Sequence, residues 1–214
     1  MSITVSKYVD AVKSALQHKK RRFKESIELI VVLEGLDLKN PQHRIKMTVN
    51  VPHPTTEKLN VCVLGAEDLG VDAKKRGVDY VSREEMENIS KNKKLVKKFA
   101  DKYDVFITRS QLMSLVGKLL GSILAPRNKM PFIAPPELSL EQILDRLKKT
   151  VNIKVQKIPV AQMRVAKEDL PPEKIAENVE TVINAMERQL DQIGAGKIKK
   201  IYIKKTMGAP VEVK

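Results

Sequence analysis

Cysteine is nearly absent from this 214-residue chain. Cys62 stands alone, which rules out an intramolecular disulfide framework and fits a reducing compartment. Tryptophan is missing and aromatics reach only 4%, too few for a single-strand nucleic-acid binder that works mainly by stacking bases. No apolar run is long enough to span a bilayer, and Met1–Lys7 carries no long apolar segment of the secretory kind. The expectation is a soluble, cytoplasmic protein without membrane association. Acidic residues are outnumbered, 26 to 40, which leaves a net charge of +14. That excess favours a polyanionic partner, nucleic acid before an anionic membrane surface. With 42% hydrophobic residues the chain can still bury one large or two small cores.

Apolar residues Tyr8, Val9, Val12, Ala15 and Leu16 recur at helical spacing, with Thr4 or Ser6 as caps. The basic run Lys19–Arg22 and Phe23 lead into a strand over Ser26–Leu33. Ile45 to Val51 then alternates, apolar at Ile45, Met47, Val49 and Val51, as a sheet with one wet face does, until Pro52 and Pro54 stop it. Beyond this point the pattern changes. Leu59–Leu64, Val78–Val81 and Tyr103–Thr108 are apolar strands separated by helices, one running through Lys102 and another capped by Ser110 and running through Leu120. Strands alternating with helices imply a parallel, doubly wound sheet. Gly121–Pro136, with four prolines, reads as loop, and Leu138–Lys148 as helix. At Val151 the alternating pattern resumes. A helix opened by Pro171 and Pro172 carries an apolar stripe from Ile175 to Leu190, and Lys199–Lys205 forms a last strand.

Half-wet antiparallel elements therefore flank a central parallel segment. The fold class is α/β with two domains. A discontinuous α+β domain with an antiparallel sheet comes from both termini (residues 1–53 and 151–214), and a Rossmann-like three-layer α/β domain is inserted at residues 54–150. The two chain crossings would make a hinge. The outer segments carry a net +9, against +5 for the insert.

No enzyme chemistry can be assembled. Gly65 to Gly70 follows a strand as a phosphate loop would, but it lacks the glycine pattern, no Lys-Ser/Thr follows, and Glu67 and Asp68 would repel phosphate. His18, His43 and His53 lack metal-ligand spacing, and Cys62 sits inside an apolar strand.

Three basic groups remain. Arg22-Phe23-Lys24 enters one outer-domain strand, and Lys204-Lys205-Thr206-Met207-Gly208 leaves another. In an antiparallel sheet the two can share a surface, with Phe23 on a sugar or base edge beside Met207. Equally, Phe23 can be core, the arginines solvated and the lysine pair a solubilising strand end. Lys91, Lys93, Lys94, Lys97 and Lys98 line a helix whose inner face would be Leu95, Val96 and Phe99. A solvated face is the plainer reading there. Arg127 and Lys129 lie in the stiff loop Ala125–Pro131, suited to phosphate contact and equally to a purely structural role.

Taken together, Arg22-Phe23 ahead of Ser26 and Glu28, Leu124–Pro131, and Thr206-Met207-Gly208 after a basic strand resemble the L-one family of large-subunit ribosomal proteins, those of the mobile stalk. The segment Lys91–Lys98 and the chain length resemble its archaeal branch. The resemblance runs in order along essentially the whole chain. It implies the two-domain architecture above, with an insert that binds no nucleotide, no cofactor and no enzymatic activity. It implies binding to stalk-region large-subunit rRNA on the ribosome, help in moving deacylated tRNA out of the exit site, and translational repression by binding its own mRNA, with a monomer when free. By position the RNA surface transfers to Phe23, Ser26, Glu28, Thr206, Met207 and Gly208, surrounded by Arg22, Lys24, Lys200 and Lys205. The helix lysines, Arg127 and Lys129 form a secondary basic surface. Two positions depart from the family pattern: Ala125 and Asn128 stand where glycines are usual, and Pro54 follows Pro52-His53 where glycine often does. The runner-up is a sequence-tolerant basic nucleic-acid chaperone, and a distant third an α/β enzyme.

Overall fold

The computed structural model describes residues 3–19, 21–56 and 58–213, so Lys20 of the basic run lies outside it. The chain divides into two compact units, Met1–Glu57 with Lys148–Lys214, and Lys58–Leu147. In chain order the first unit supplies helix α1 (Ile3–Leu16) and strands β1 (Ser26–Glu34) and β2 (Ile45–Asn50). Next come β3 (Val61–Leu64), α2 (Glu67–Lys75), β4 (Asp79–Val81), α3 (Arg83–Ser90) and α4 (Lys93–Lys102). They are followed by β5 (Val105–Thr108), α5 (Met113–Leu124), β6 (Phe132–Ile133) and α6 (Leu140–Lys148). The first unit is completed by β7 (Thr150–Val155), β8 (Val160–Lys167), α7 (Pro172–Ile193), β9 (Lys197–Lys205) and β10 (Val211–Glu212).

In the first unit an antiparallel sheet runs β10-β9-β1-β8. Ile27, Leu29, Val31 and Leu33 alternate onto its inner face and are buried with Ala161, Met163 and Ile203. Helices α1 and α7 complete that core, through Tyr8, Val12 and Ala15 and through Ile175, Val179, Val182 and Met186. Each large apolar side chain of the α7 stripe contributes about 1.5–3 kcal/mol on burial, far more than the helix's surface ion pairs can. Gly194 ends α7 in the left-handed region, at φ 67°. Strands β2 and β7, which bracket the inserted segment in sequence, pair with each other from Asn50↔Thr150 to Ile45↔Val155. Beyond that ladder the fully buried Asn178 accepts the His53 amide at 3.0 Å and donates to the carbonyls of His53 and Val165.

The second unit is a parallel sheet in the order β4-β3-β5-β6. The continuous apolar run in β3 divides by parity: Cys62 and Leu64 face a cluster with Met86, Val96, Val116 and Leu120, while Val61 and Val63 face another with Leu69, Ala73, Leu140 and Ile143. Helices thus cover both faces, the three-layer arrangement that near-continuous apolar strands require.

Several local expectations are corrected. Helix α1 starts at Ile3, so Thr4 and Ser6 lie inside it. The helix expected through Lys102 is two, because Asn92 leaves helical geometry and its side chain caps the second by accepting the Lys94 amide at 2.9 Å. Ser110 opens a short 3-10 turn, and α5 begins only at Met113 and runs past Gly121 to Leu124. Leu124 is fully buried, and its packing outweighs the weak helix preference of one glycine. Phe132–Ile133 adds an edge strand inside the expected loop by pairing with Ile107 and Thr108. No helix among the described residues is long and apolar enough to cross a membrane.

Cys62 is fully buried, and burial, reinforced by Asp79, pushes its thiol up to about 12. At pH 8 only on the order of one thiol in ten thousand would be the reactive thiolate. Iodoacetamide at pH 8 is therefore expected to label Cys62 at a negligible rate in the native chain and rapidly in urea. Comparable rates in both would contradict the buried placement.

Candidate nucleic-acid interface

The entry of β1 and the exit of β9 lie side by side, since Ile27 pairs with Lys205. Thr206 clamps the two ends. Its amide donates to the Ser26 carbonyl at 3.1 Å, and its hydroxyl accepts from the Ser26 amide and donates to the Ser26 carbonyl, each at 3.3 Å. The Met207 amide donates to a Glu25 carboxylate oxygen at 2.9 Å, and the Gly208 amide turns back onto the Lys205 carbonyl at 3.0 Å. A Cβ on Gly208 would stand 3.2 Å from the Lys205 Cβ, a tight contact that the neighbouring turn would have to yield to by a few tenths of an ångström. The two motifs separated by some 180 residues therefore form one tip. Phe23 is 54% exposed and Met207 60%, so the core reading of Phe23 is set aside and both side chains present apolar surface to solvent.

Lys205 is a correction. Instead of standing among the exposed charges it is 1% exposed, between Glu168 at 3.0 Å and Glu25 at 3.3 Å, with the His18 carbonyl at 3.4 Å. Burial pulls its ammonium down, but the hydrogen bonds to Glu168 and Glu25 outweigh that and hold it above lysine's ordinary value. Period two explains the placement: Lys205 shares a strand face with the buried Ile203, and Glu25, also 1% exposed, has the parity of the buried Ile27. A carboxylate and an ammonium on one apolar face must be paired, and that signal was available in the sequence.

On the opposite, wet face of the sheet, Glu28 stands across from Lys204 on β9 and Arg164 on β8, neighbours sharing one face. Lys204 belongs to the basic motif at the exit of β9, whereas Arg164 was not singled out, though it was identifiable as an outward position between Met163 and Val165. Arg22 is exposed, Lys24 pairs with Asp169 at 2.8 Å, and Lys200 with Glu212 at 3.0 Å. Exposed pairs of this kind are weak and open readily to a stronger anion.

In the second unit Lys91, Lys93, Lys94, Lys97 and Lys98 are all exposed. The inner face of α4 is Val96, Phe99 and Ala100; Leu95, expected there, is 48% exposed, because positions i, i+3 and i+4 form the stripe. Arg127 and Lys129 are not free phosphate hooks. The Arg127 guanidinium pairs with Asp101, and the Lys129 ammonium donates to the carbonyls of Ala100 and Tyr103 at 2.9 and 2.8 Å, capping the end of α4. In the same loop Asn128 has φ 55°, the left-handed conformation that glycine adopts most easily, whereas Ala125 is ordinary helix.

The strand order reverses between β3 and β5, where open α/β sheets bind ligands at the carboxyl ends. Here Arg109 occupies that end of β5, donating to Asp68 at 2.5 and 2.9 Å and to the carbonyls of Ala134 and Pro135. Burial raises the Asp68 carboxyl, but the Arg109 hydrogen bond and the Leu69 amide overcome it and hold it below the usual carboxylate range. The helix start that would cradle a phosphate is thus acidic and already satisfied. Among the described residues no group of three His, Cys, Asp or Glu side chains could hold a metal ion.

A half-wet antiparallel unit made from both ends of the chain, a tip where its central strands meet, and a three-layer parallel unit define a basic α/β protein of two compact units. Comparison places it more closely. Residues 15–209 match the Ribosomal protein L1p/L10e family. The large ribosomal subunit protein uL1 of Thermococcus kodakarensis is 40% identical over 215 residues, covering 100% of this chain and 99% of the relative. That of Pyrococcus abyssi is 41% identical over 210 residues, 97% of this chain and 95% of the relative. That of Aeropyrum pernix is 40% identical over 193 residues, 90% and 88% of the two chains. The chain belongs to the ribosomal protein L1p/L10e family.

Asn128 offers a local check. Asn128→Val is expected to lower stability by about 1–2 kcal/mol, because a β-branched residue disfavours left-handed backbone, and Asn128→Gly to cost less. Urea melts of the full chain in which valine was the milder change would contradict the assigned backbone.

Proposed function

We propose that this chain is a non-enzymatic structural protein of the large ribosomal subunit in the cytoplasm, binding folded stalk-region rRNA through the tip formed by Arg22–Glu28 and Thr206–Gly208. The observation that carries this reading is the hydrogen-bonded juxtaposition of those two motifs, in a chain whose relatives described above are named large ribosomal subunit proteins. A-form RNA hides its base edges in a deep groove, so a protein reads its shape, its 2′-hydroxyls and its backbone. The tip supplies matching groups: Phe23 and Met207 for a sugar or base face, Ser26 and Glu28 as hydrogen-bond partners for 2′-hydroxyls. Thr206 commits its proton and one lone pair to Ser26, so it retains one lone pair to accept from RNA. Arg22, Lys24 and Lys200 add the salt-dependent part. Lys91, Lys93, Lys94, Lys97 and Lys98 offer a second surface of phosphate-binding type.

From family membership we further propose that the chain helps deacylated tRNA leave the exit site and represses translation by binding its own mRNA with the same tip. A message fragment that folds like the stalk rRNA would present the same sugars and phosphates, so one site serves both. The free protein is proposed to be a monomer.

Replacing Thr206 with Val removes the hydroxyl's two bonds of the clamp and the remaining acceptor together, and leaves the backbone bond to Ser26. Affinity for a stalk-region rRNA fragment is expected to fall by about tenfold or more, with the salt slope unchanged, and affinity for a scrambled hairpin to hold. Arg22→Gln should instead lower the slope by roughly 0.7–0.9 for each phosphate it no longer neutralises. Filter-binding titrations across a salt series measure both. Equal losses on specific and scrambled RNA would point to a sequence-tolerant binder and against this reading. A message fragment bound at this tip should lose affinity in Thr206→Val by the same factor as the rRNA.

A further inference from the structure

Beneath the tip lies a charged cluster whose lysine and one of whose carboxylates are closed to solvent. Lys205 and Glu25 are each 1% exposed, and Glu168 is 19% exposed at its side chain. The two oxygens of Glu25 do different work. One takes the Lys205 ammonium at 3.3 Å, and the other takes the Met207 amide at 2.9 Å. Glu168 repeats the pattern one layer away: one oxygen accepts Lys205 at 3.0 Å, the other the Glu25 amide at 3.2 Å, while its own amide donates to the Glu25 carbonyl at 3.1 Å. Lys205 also reaches the His18 carbonyl at 3.4 Å, and the Gly208 amide closes on the Lys205 carbonyl at 3.0 Å. Backbone from the segment before β1 and from the turn after β9 is thus held by three side chains, and the end of β8 is tied in by the Glu168 amide.

We propose that Glu25, Lys205 and Glu168 are positioning residues for RNA recognition: they fix the backbone of Met207 and Gly208 without touching RNA, through the Glu25 carboxylate. The inference rests on reading the tip as the RNA site, and it assigns Lys205 a role opposite to that of a surface lysine. An ion group buried this deeply is costly to desolvate, and breaking it by removing one partner is far more disruptive than neutralising it. A hydrogen bond from an amide to a carboxylate is also stronger than one to a neutral oxygen. The cluster therefore gives up stability to hold one turn in one geometry, and in a shape-reading site a misplaced turn breaks hydrogen bonds that charge cannot replace.

The test compares full-length variants by affinity for the stalk-region rRNA fragment, by salt slope, and by hydrogen exchange of the Met207 amide without RNA. Glu25→Ala removes the acceptor and should weaken specific binding by about tenfold or more at unchanged slope, while Glu25→Gln, which keeps an oxygen for Met207, should retain most of it. Lys205→Met should also lose affinity at unchanged slope, and Glu25→Gln combined with Lys205→Met should bind better than Lys205→Met alone. The Met207 amide should exchange faster in Glu25→Ala and in Lys205→Met than in the parent chain. If Glu25→Ala does not fold, as judged by its melt, the Lys205→Met pair decides. A slope lowered by about 0.7–0.9 in Lys205→Met would make that lysine a phosphate ligand and overturn the proposal. Equal effects of Ala and Gln at position 25, no rescue in the double variant, or unaltered Met207 exchange would also overturn it. A parent chain with no preference for the stalk fragment would sink the RNA reading itself, while the exchange measurement would still decide on the positioning.

Discussion

Strand β1 lies between β8 and β9, so the early part of the chain forms the middle of a sheet whose flanks come from its far end. Everything in the first unit follows from that pairing. The apolar face of β1 needs both α1 and α7 to cover it, and its N-terminal end meets the C-terminal end of β9. There the strand pairing ends with the Thr206 amide on the Ser26 carbonyl, and side chains add the remaining bonds. Thr206 binds both backbone groups of Ser26, and Glu25 holds the Met207 amide. The tip is therefore the place where two distant stretches of chain must be joined, which gives it defined geometry without any large apolar core of its own.

Charge in this protein is sorted by depth. Arg22 and the lysines of α4 lie in solvent, where salt screens them and side-chain freedom keeps each interaction weak. Lys205 is buried with its counter-charges, where screening is slight and geometry decides. Arg109 and Lys129 are used internally as well, one at the carboxyl end of β5 and one at the end of α4. A net charge of +14 thus overstates the surface available for polyanions.

The elements most legible in the sequence were those with a clear period. Alternation in Ile45–Val51 and in Ser26–Leu33 gave half-buried strands, and the stripe from Ile175 to Leu190 gave α7. The continuous apolar runs around Cys62 and Phe106 gave the parallel sheet. Local punctuation was less legible. Asn92 breaks a charged helix by a cap that looks like any other polar residue, and Gly121 stays helical because Leu124 is buried. In the candidate site, antiparallel logic allowed Arg22-Phe23-Lys24 to meet Lys204–Gly208 but left a core Phe23 equally open, and Ser26 entered only through the family resemblance. Transfer by position put Lys205 among the surrounding charges, because a lysine pair at a strand's end reads as surface. Parity with Ile203 would have placed it inside, with Glu25 opposite.

The most direct measurement is hydrogen exchange along the full chain with and without the stalk-region rRNA fragment. Protection concentrated in residues 22–28 and 205–208, persisting at a salt concentration that abolishes binding to a scrambled hairpin, is the expected result. Protection confined to the exposed lysine helix of the inserted unit, and vanishing with salt, would contradict recognition at the tip and leave the basic surface as the whole of the interaction.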